Sequence, residues 1–113
     1  MSDFNPEDVI IGDNVRRFRE AYGISRAQLA QIFHISVDAV YRIERGQTGL
    51  SSSYAYILAT KLHCDMNFIY GITSEPALVD LDNMEIIPMT PAAIAGRLRV
   101  FAELLEGMTE AEK

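Results

Sequence analysis

SRAQLAQIFHISVDAVYRIERG, residues 25–46, is the stretch that decides the fold of this chain, because it encodes two short helices joined by a tight turn. Ser25 and Gln28 have the S-x-x-Q spacing of a capping box, which begins the first helix. Ser36 is a candidate N-cap of the second helix. Gly46 is a typical C′ residue and ends that helix.

The apolar residues of this stretch follow helical spacing on both sides of the turn. Leu29, Ala30 and Phe33 form a small apolar face on the first helix. Val40 and Ile43 form a narrow stripe on the second helix. Helices of about two turns with almost no linker cannot run antiparallel as a hairpin, so they must cross at a steep angle. The pattern therefore predicts a helix-turn-helix motif.

The pattern resembles the helix-turn-helix of the phage repressor and Cro proteins, a family also called xenobiotic-response-element-type regulators. The resemblance covers about residues 11–71. It implies an all-α, five-helix DNA-binding domain of a transcriptional regulator, whose recognition helix, here 37–45, enters the major groove. The residues that match the family pattern are the Leu29-Ala30 pair, the apolar Ile35, Val40 and Ile43, and the run Ile43-Glu44-Arg45-Gly46.

A longer helix is predicted before the motif. Asn5 and Pro6 form a cap and first-turn pair, and Gly23 ends the helical pattern. The face opposite the apolar stripe carries Arg16 and Arg17, which we expect in solvent. The stripe itself consists of Ile11, Val15, Phe18 and Tyr22, spaced along one helix face.

After the motif, two further helices complete the predicted domain over residues 1–71. A serine at position 51, 52 or 53 caps the fourth helix, and Asp65 caps a short fifth helix that Gly71 ends. So small a domain buries little surface and is only marginally stable alone. A partner subunit would help.

Residues 72–113 are predicted to be a linker followed by a C-terminal helix. The linker covers residues 77–89, with a short strand expected at Glu85–Ile87. Thr90-Pro91 then begins an amphipathic helix over 91–106, which we expect to form a homodimer rather than to pack back on its own domain. Its apolar stripe consists of Ile94, Leu98, Phe101 and Leu105.

Charge is segregated along the 113 residues, although the net charge is −6. Residues 14–61 contain seven basic and three acidic side chains, whereas residues 71–113 contain three basic and eight acidic ones. The local field matters more than the total, so double-stranded DNA is still an expected partner. Without a basic leader or an apolar run of about 20 residues, the sequence predicts a cytoplasmic protein outside the membrane.

The family alignment, set by Glu44 and Gly46, implies the sites that contact DNA. The base-contacting positions are Val37, Asp38 and Arg42. Arg42 can bond guanine O6 and N7, which discriminates by about 1–3 kcal/mol. Asp38 departs from the family pattern, and it either accepts from cytosine N4 or simply places a negative charge at the helix start. The positions implied to contact phosphate are Ser25, Arg26, Ser36, Tyr41, Arg45 and Ser52.

Two further features concern structure rather than recognition. The resemblance implies that Arg19 pairs with Glu44 and holds the first helix against the recognition helix. Cys64 is expected to be a buried small apolar residue. His34 and His63 have no neighbours at the spacing of a metal site or a nucleophile, so we expect no cofactor, no metal and no enzyme.

These observations favour a sequence-specific repressor that binds DNA as a homodimer. The first alternative is a protein-interaction module of the same fold, such as an antitoxin-like regulator that docks a partner protein through its C-terminal segment. Asp38 and the net charge of −6 favour that alternative. A small-molecule sensor is a weaker alternative, because about 40 C-terminal residues leave little room for a pocket.

Overall fold

The computed structural model describes residues 4–87, which form five α-helices followed by a two-stranded antiparallel sheet. The predicted all-α, five-helix class is confirmed, with the small sheet as an addition. The predicted C-terminal helix over 91–106 lies outside the described residues. The elements are α1 (Pro6–Ala21), α2 (Arg26–Phe33), α3 (Val37–Glu44), α4 (Ser52–Thr60), α5 (Met66–Ile69), β1 (Leu78–Asp80) and β2 (Glu85–Ile87).

Each helix begins at a capping residue that local sequence chemistry predicts. Both bonds of the predicted capping box are present, since the Ser25 hydroxyl accepts from Gln28 N at 3.0 Å and Ser25 N donates to Gln28 Oε1 at 2.8 Å. Of the three candidate serines before α4, Ser51 is the N-cap. The remaining N-caps are Asn5 for α1, Ser36 for α3 and Asp65 for α5.

Two glycines bring α1 against the end of α3. A side chain at Gly12 would collide with the carbonyl oxygen of Ile43, so only glycine permits this crossing. Gly46 has a φ of +79°, and a Cβ there would lie 2.6 Å from the Cα of Val9. The sequence pattern marks Gly46 as a helix end but gives no signal for the close approach at Gly12, because that contact joins residues far apart in the chain.

One apolar core joins all five helices and β1. The Asn14 amide, buried in α1, donates to the carbonyls of Phe68 and Ile69 at 3.1 and 3.2 Å, and so satisfies the carbonyl end of α5. The largest fully buried side chains are those of Val15, Phe18, Ile24, Leu29, Val40, Leu58, Leu62, Phe68 and Ile69.

Residues 78–87 form a hairpin where the sequence predicts mostly a linker. The predicted strand at Glu85–Ile87 is confirmed, and it pairs with β1. Leu78 is buried in the core and Ile87 packs against it, because these two residues lie opposite each other on one face of the hairpin. The alternation is too short to be clear in the sequence, and the burial of Leu78 depends on the distant segment around Cys64.

Burial also changes the acidity of two neighbouring side chains. Cys64 is buried, as predicted for a small apolar residue, and its burial raises the pKa of the thiol. Burial raises the pKa of Tyr22 from 10.0 to about 12. Both groups are therefore more readily ionised in the unfolded chain than in the folded one.

Tyr22→Phe is expected to flatten the loss of stability at alkaline pH. Since the pKa of Tyr22 is raised in the folded state, its contribution is full below pH 10 and is lost as pH rises toward about 12. Urea unfolding of the native chain between these pH values should show a falling free energy of unfolding, with a shallower fall in Tyr22→Phe. Tyr56→Phe, at an exposed tyrosine, is the control. Equal slopes for all three proteins would contradict the assignment.

Candidate nucleic-acid interface

Helix α3 buries one face and presents the other to solvent. Val40 and Ile43 point into the core. On the outer face, Val37 is 48% exposed and Tyr41 is 40% exposed, and Arg42 is exposed beside them. The inner face of α3 is thus packed against the core, and its outer face is accessible.

A buried ion pair holds α3 in this orientation. The side chain of Glu44 is 2% exposed and that of Arg19 is 10% exposed. Arg19 donates to Glu44 through Nε at 2.6 Å and through Nη2 at 3.2 Å, and through Nη1 to the carbonyl of Ile24 at 3.1 Å. The predicted pair is confirmed, and it is bidentate, which adds geometric definition to the attraction.

Three predicted phosphate-contacting side chains lie together beside this pair. The Arg26 Nε donates to Glu44 at 2.9 Å, so Glu44 joins α2 to α3 as well as to α1. The guanidinium groups of Arg26 and Arg45 lie 5.1 and 5.5 Å from the centre of the Tyr41 ring. Since a guanidinium carries five N–H donors, the bond to Glu44 leaves Arg26 able to bind a phosphate. We call Arg26, Tyr41 and Arg45 the arginine–tyrosine cluster.

Family alignment alone does not reveal this cluster. The i, i+4 spacing of Tyr41 and Arg45 is a signal in the sequence, because such residues are neighbours on a helix. The approach of Arg26 from α2 has no local signal, since it requires the two helices to cross. The complete cluster is therefore evident only from the three-dimensional structure.

The predicted base-contacting residues Asp38 and Arg42 form an ion pair on the exposed face. Arg42 Nη1 donates to Asp38 Oδ2 at 2.7 Å, across one turn of α3. Both side chains are about half exposed or more, so the pair contributes little to stability. The pair does orient the guanidinium along the outer face of α3.

The three predicted serines lie at the starts of three helices, and all are exposed. Ser25 and Ser36 are N-caps, and the Ser36 hydroxyl accepts from Ala39 N at 3.0 Å. Ser52 is the first residue of α4, directly after the cap. Backbone N–H groups at such helix starts favour anions whichever side chain is present.

The other two arginines of α1 differ in their surroundings. Arg16 bonds Asp13 at 2.6 Å and Glu20 at 2.5 Å in partial exposure, and these hydrogen bonds raise its pKa, that with Asp13 most. Arg17 was expected in solvent, and it is partly exposed. It lies 5.0 Å from the centre of the Phe68 ring and donates to the carbonyl of Ser74 at 3.1 Å, because the loop after α5 folds against α1.

The described part of the chain has neither a cluster of metal-ligating side chains nor a membrane-spanning helix. Within residues 4–87, no group of three or more His, Cys, Asp or Glu side chains is placed to hold a metal ion. None of the helices described there has the length and apolar character needed to cross a membrane.

Removing the carboxylate of Glu44 is expected to destabilise the fold strongly. Glu44→Ala leaves Arg19 buried without its main partner, which costs about 3–5 kcal/mol of unfolding free energy. Asp13→Ala, at the partly exposed pair with Arg16, is the control and should cost about 1 kcal/mol or less. Urea unfolding measures both, and the double variant Arg19→Met/Glu44→Leu should recover part of the loss. Similar small costs for Glu44→Ala and Asp13→Ala would contradict the structural role.

Comparison with known proteins agrees with this geometry. Residues 15–69 match a family described as a helix-turn-helix. The chain is 34% identical over 104 residues to a protein of Methanothermobacter thermautotrophicus (strain Delta H) that is provisionally named an HTH-type transcriptional regulatory protein. This alignment covers 92% of the chain, but the chain spans only 30% of the length of that relative. No solved structure shows significant similarity. Residues 15–69 therefore form a domain of the helix-turn-helix family.

Proposed function

We propose that this protein is a sequence-specific DNA-binding transcriptional regulator, acting in the cytoplasm as a repressor. The observation that supports this most directly is the outer face of α3, where Val37, Tyr41 and Arg42 are exposed while the inner face is anchored by Glu44. An α-helix with its side chains is about 10–12 Å in diameter, and the major groove is about 12 Å wide, so α3 can enter it.

Specificity would come from Val37, Asp38 and Arg42. The Val37 side chain offers apolar contact to a thymine methyl group. Arg42 bonds guanine O6 and N7, and the Asp38 carboxylate limits the directions in which the guanidinium can point. In this arrangement Asp38 also repels backbone phosphate, which weakens binding to DNA of other sequence. The acidic residue thereby favours discrimination over total affinity.

Affinity would come from phosphate contacts around α3. The arginine–tyrosine cluster places two cations beside the end of the helix. The first turns of α2, α3 and α4, beside Ser25, Ser36 and Ser52, supply further backbone N–H donors, although the Ser25 N–H itself is bonded to Gln28. Such contacts set the position of the protein on the duplex and make binding sensitive to salt.

A homodimer would place two copies of α3 in successive major grooves, about 34 Å apart. The amphipathic helix predicted over 91–106 is the proposed dimerisation segment, and its apolar stripe needs a covering partner. Symmetric operators follow from such a dimer, since each half-site meets the same residues.

A protein-interaction module is the second candidate. Asp38 neutralises Arg42 within α3, and the C-terminal residues are acidic, so the chain offers DNA less positive charge than its arginine count suggests. An antitoxin-like regulator would dock a partner protein through the C-terminal segment and retain weak DNA binding. This candidate predicts no enrichment of any DNA sequence, even at low salt.

Arg42→Ala is expected to relax recognition at one base pair in each half-site. The native chain should enrich a two-fold symmetric sequence from random duplex DNA, because the proposed dimer is symmetric. The variant should lose about 1–3 kcal/mol of discrimination at a G·C pair, because the bidentate contact to guanine is lost. Selection and sequencing with both proteins, at two salt concentrations, measures this loss.

Arg45→Ala and Lys61→Ala provide matched comparisons with the same change of charge. Arg45→Ala should weaken binding to all sequences alike and reduce the slope of log K against log salt by about 1, as expected for a phosphate contact. Lys61→Ala, at the exposed end of α4, should change little. Equal effects of all three variants, or no enrichment by the native chain, would contradict the proposed contacts of α3.

A further inference from the structure

Hydrogen bonds on one side of β1 determine which backbone groups of the hairpin point outward. Val79 N donates to the His63 carbonyl at 2.7 Å, and Asp65 N donates to the Ala77 carbonyl at 2.9 Å, on the side away from β2. Backbone groups alternate in direction along an antiparallel strand. Leu78 and Asp80 therefore direct their N–H and C=O groups toward β2.

The same alternation makes Ile86 the outward-facing residue of β2. Leu78 pairs with Ile87 and Asp80 pairs with Glu85, so these two pairs exchange the ladder bonds. Ile86, opposite Val79, directs its N–H and C=O away from β1. No strand within residues 4–87 lies along that outer edge. An edge of this kind is a ready template for another strand.

The side chains around this edge are apolar and exposed. Ile86 is 51% exposed and lies on the face of the hairpin opposite to Leu78 and the core. Leu81 and Met84, in the connecting turn, are also exposed. A two-stranded hairpin needs further strands or a covering helix for stability, and the helical domain covers only one of its faces.

We propose that a second copy of this chain pairs its own β2 antiparallel to this edge, with the two-fold axis at Ile86. The two Ile86 residues would then exchange both N–H···O=C bonds and bring their exposed side chains together. In this register Glu85 lies opposite Ile87 of the other copy, so no two carboxylates face each other. Pro88, which has no N–H, ends the pairing at each side.

The position of this edge in the chain also favours a second copy. Ile87 is four residues before Pro91, where the predicted amphipathic helix begins. Four residues span at most about 14 Å, so strand and helix would share one two-fold interface. The inference adds a contact to the dimerisation in the proposed function, but it does not depend on DNA binding.

Cysteine cross-linking of the full chain tests the register. Ile86→Cys should oxidise to a disulfide-linked dimer, because Cα atoms of a directly bonded antiparallel pair are about 5.5 Å apart, within the range of disulfides. The native Cys64 is buried and its thiol pKa is raised, so it should not interfere. Met84→Cys and Ile72→Cys are exposed controls. In the proposed register the two Met84 residues are offset by four positions, about 13 Å, and should cross-link poorly.

Sedimentation without DNA tests the same interface by mass. The mass that sedimentation gives for the native chain should be twice 12.6 kDa. The mass of the Ile86→Lys variant should shift toward that of the monomer. The circular dichroism spectrum of this variant should stay unchanged, which shows that it is folded. Ile72→Lys, at another exposed isoleucine, should remain dimeric. A monomeric native chain, in which residues 88–113 cover the edge themselves, would overturn the proposal. Cross-linking at Ile86 no faster than at Met84 or Ile72 would overturn it as well, whatever the DNA-binding result.

Discussion

The carboxylate of Glu44 is the point on which the arrangement of the first three helices depends. It lies at the end of α3, accepts two bonds from Arg19 of α1 and one from Arg26 of α2, and is 2% exposed. A buried carboxylate is costly unless its lone pairs are satisfied, so both arginines must be in place when the domain folds. Gly12 makes this possible, because it lets α1 cross the end of α3 without a side chain between them.

Anchoring at one end leaves the rest of α3 available for recognition. The same arginine that completes the buried network, Arg26, is partly exposed and stacks over Tyr41. The network and the proposed phosphate contacts therefore share a residue, and the stability of the fold is tied to the geometry of the proposed DNA-binding face. Asp38 and Arg42 lie outside this network, so substitutions at these two positions are expected to change the proposed specificity without disturbing the core.

Local chemistry explains why much of the fold was predictable from the sequence. Ser25, Ser36 and Asp65 cap their helices through contacts within three residues, and such contacts leave a clear pattern. The burial of Leu78 and the bond from Arg17 to Ser74 were not predicted, because both depend on segments more than ten residues away. The proposed contacts with DNA bases and phosphates came from family alignment, and the structure adds only the surroundings of those side chains. Sequence specificity is a property of the complex with DNA, so neither the sequence nor the fold of the chain alone determines it.

The most direct test of the proposed role of α3 is a nuclear magnetic resonance titration of the full chain with a duplex selected by binding. We expect the largest amide shifts at residues 36–42 and at the starts of α2 and α4, because these backbone groups would face the groove and its phosphates. Tyr70, on the exposed end of α5, should remain unchanged. Shifts concentrated on α5 and the hairpin, with α3 unaffected, would contradict the account.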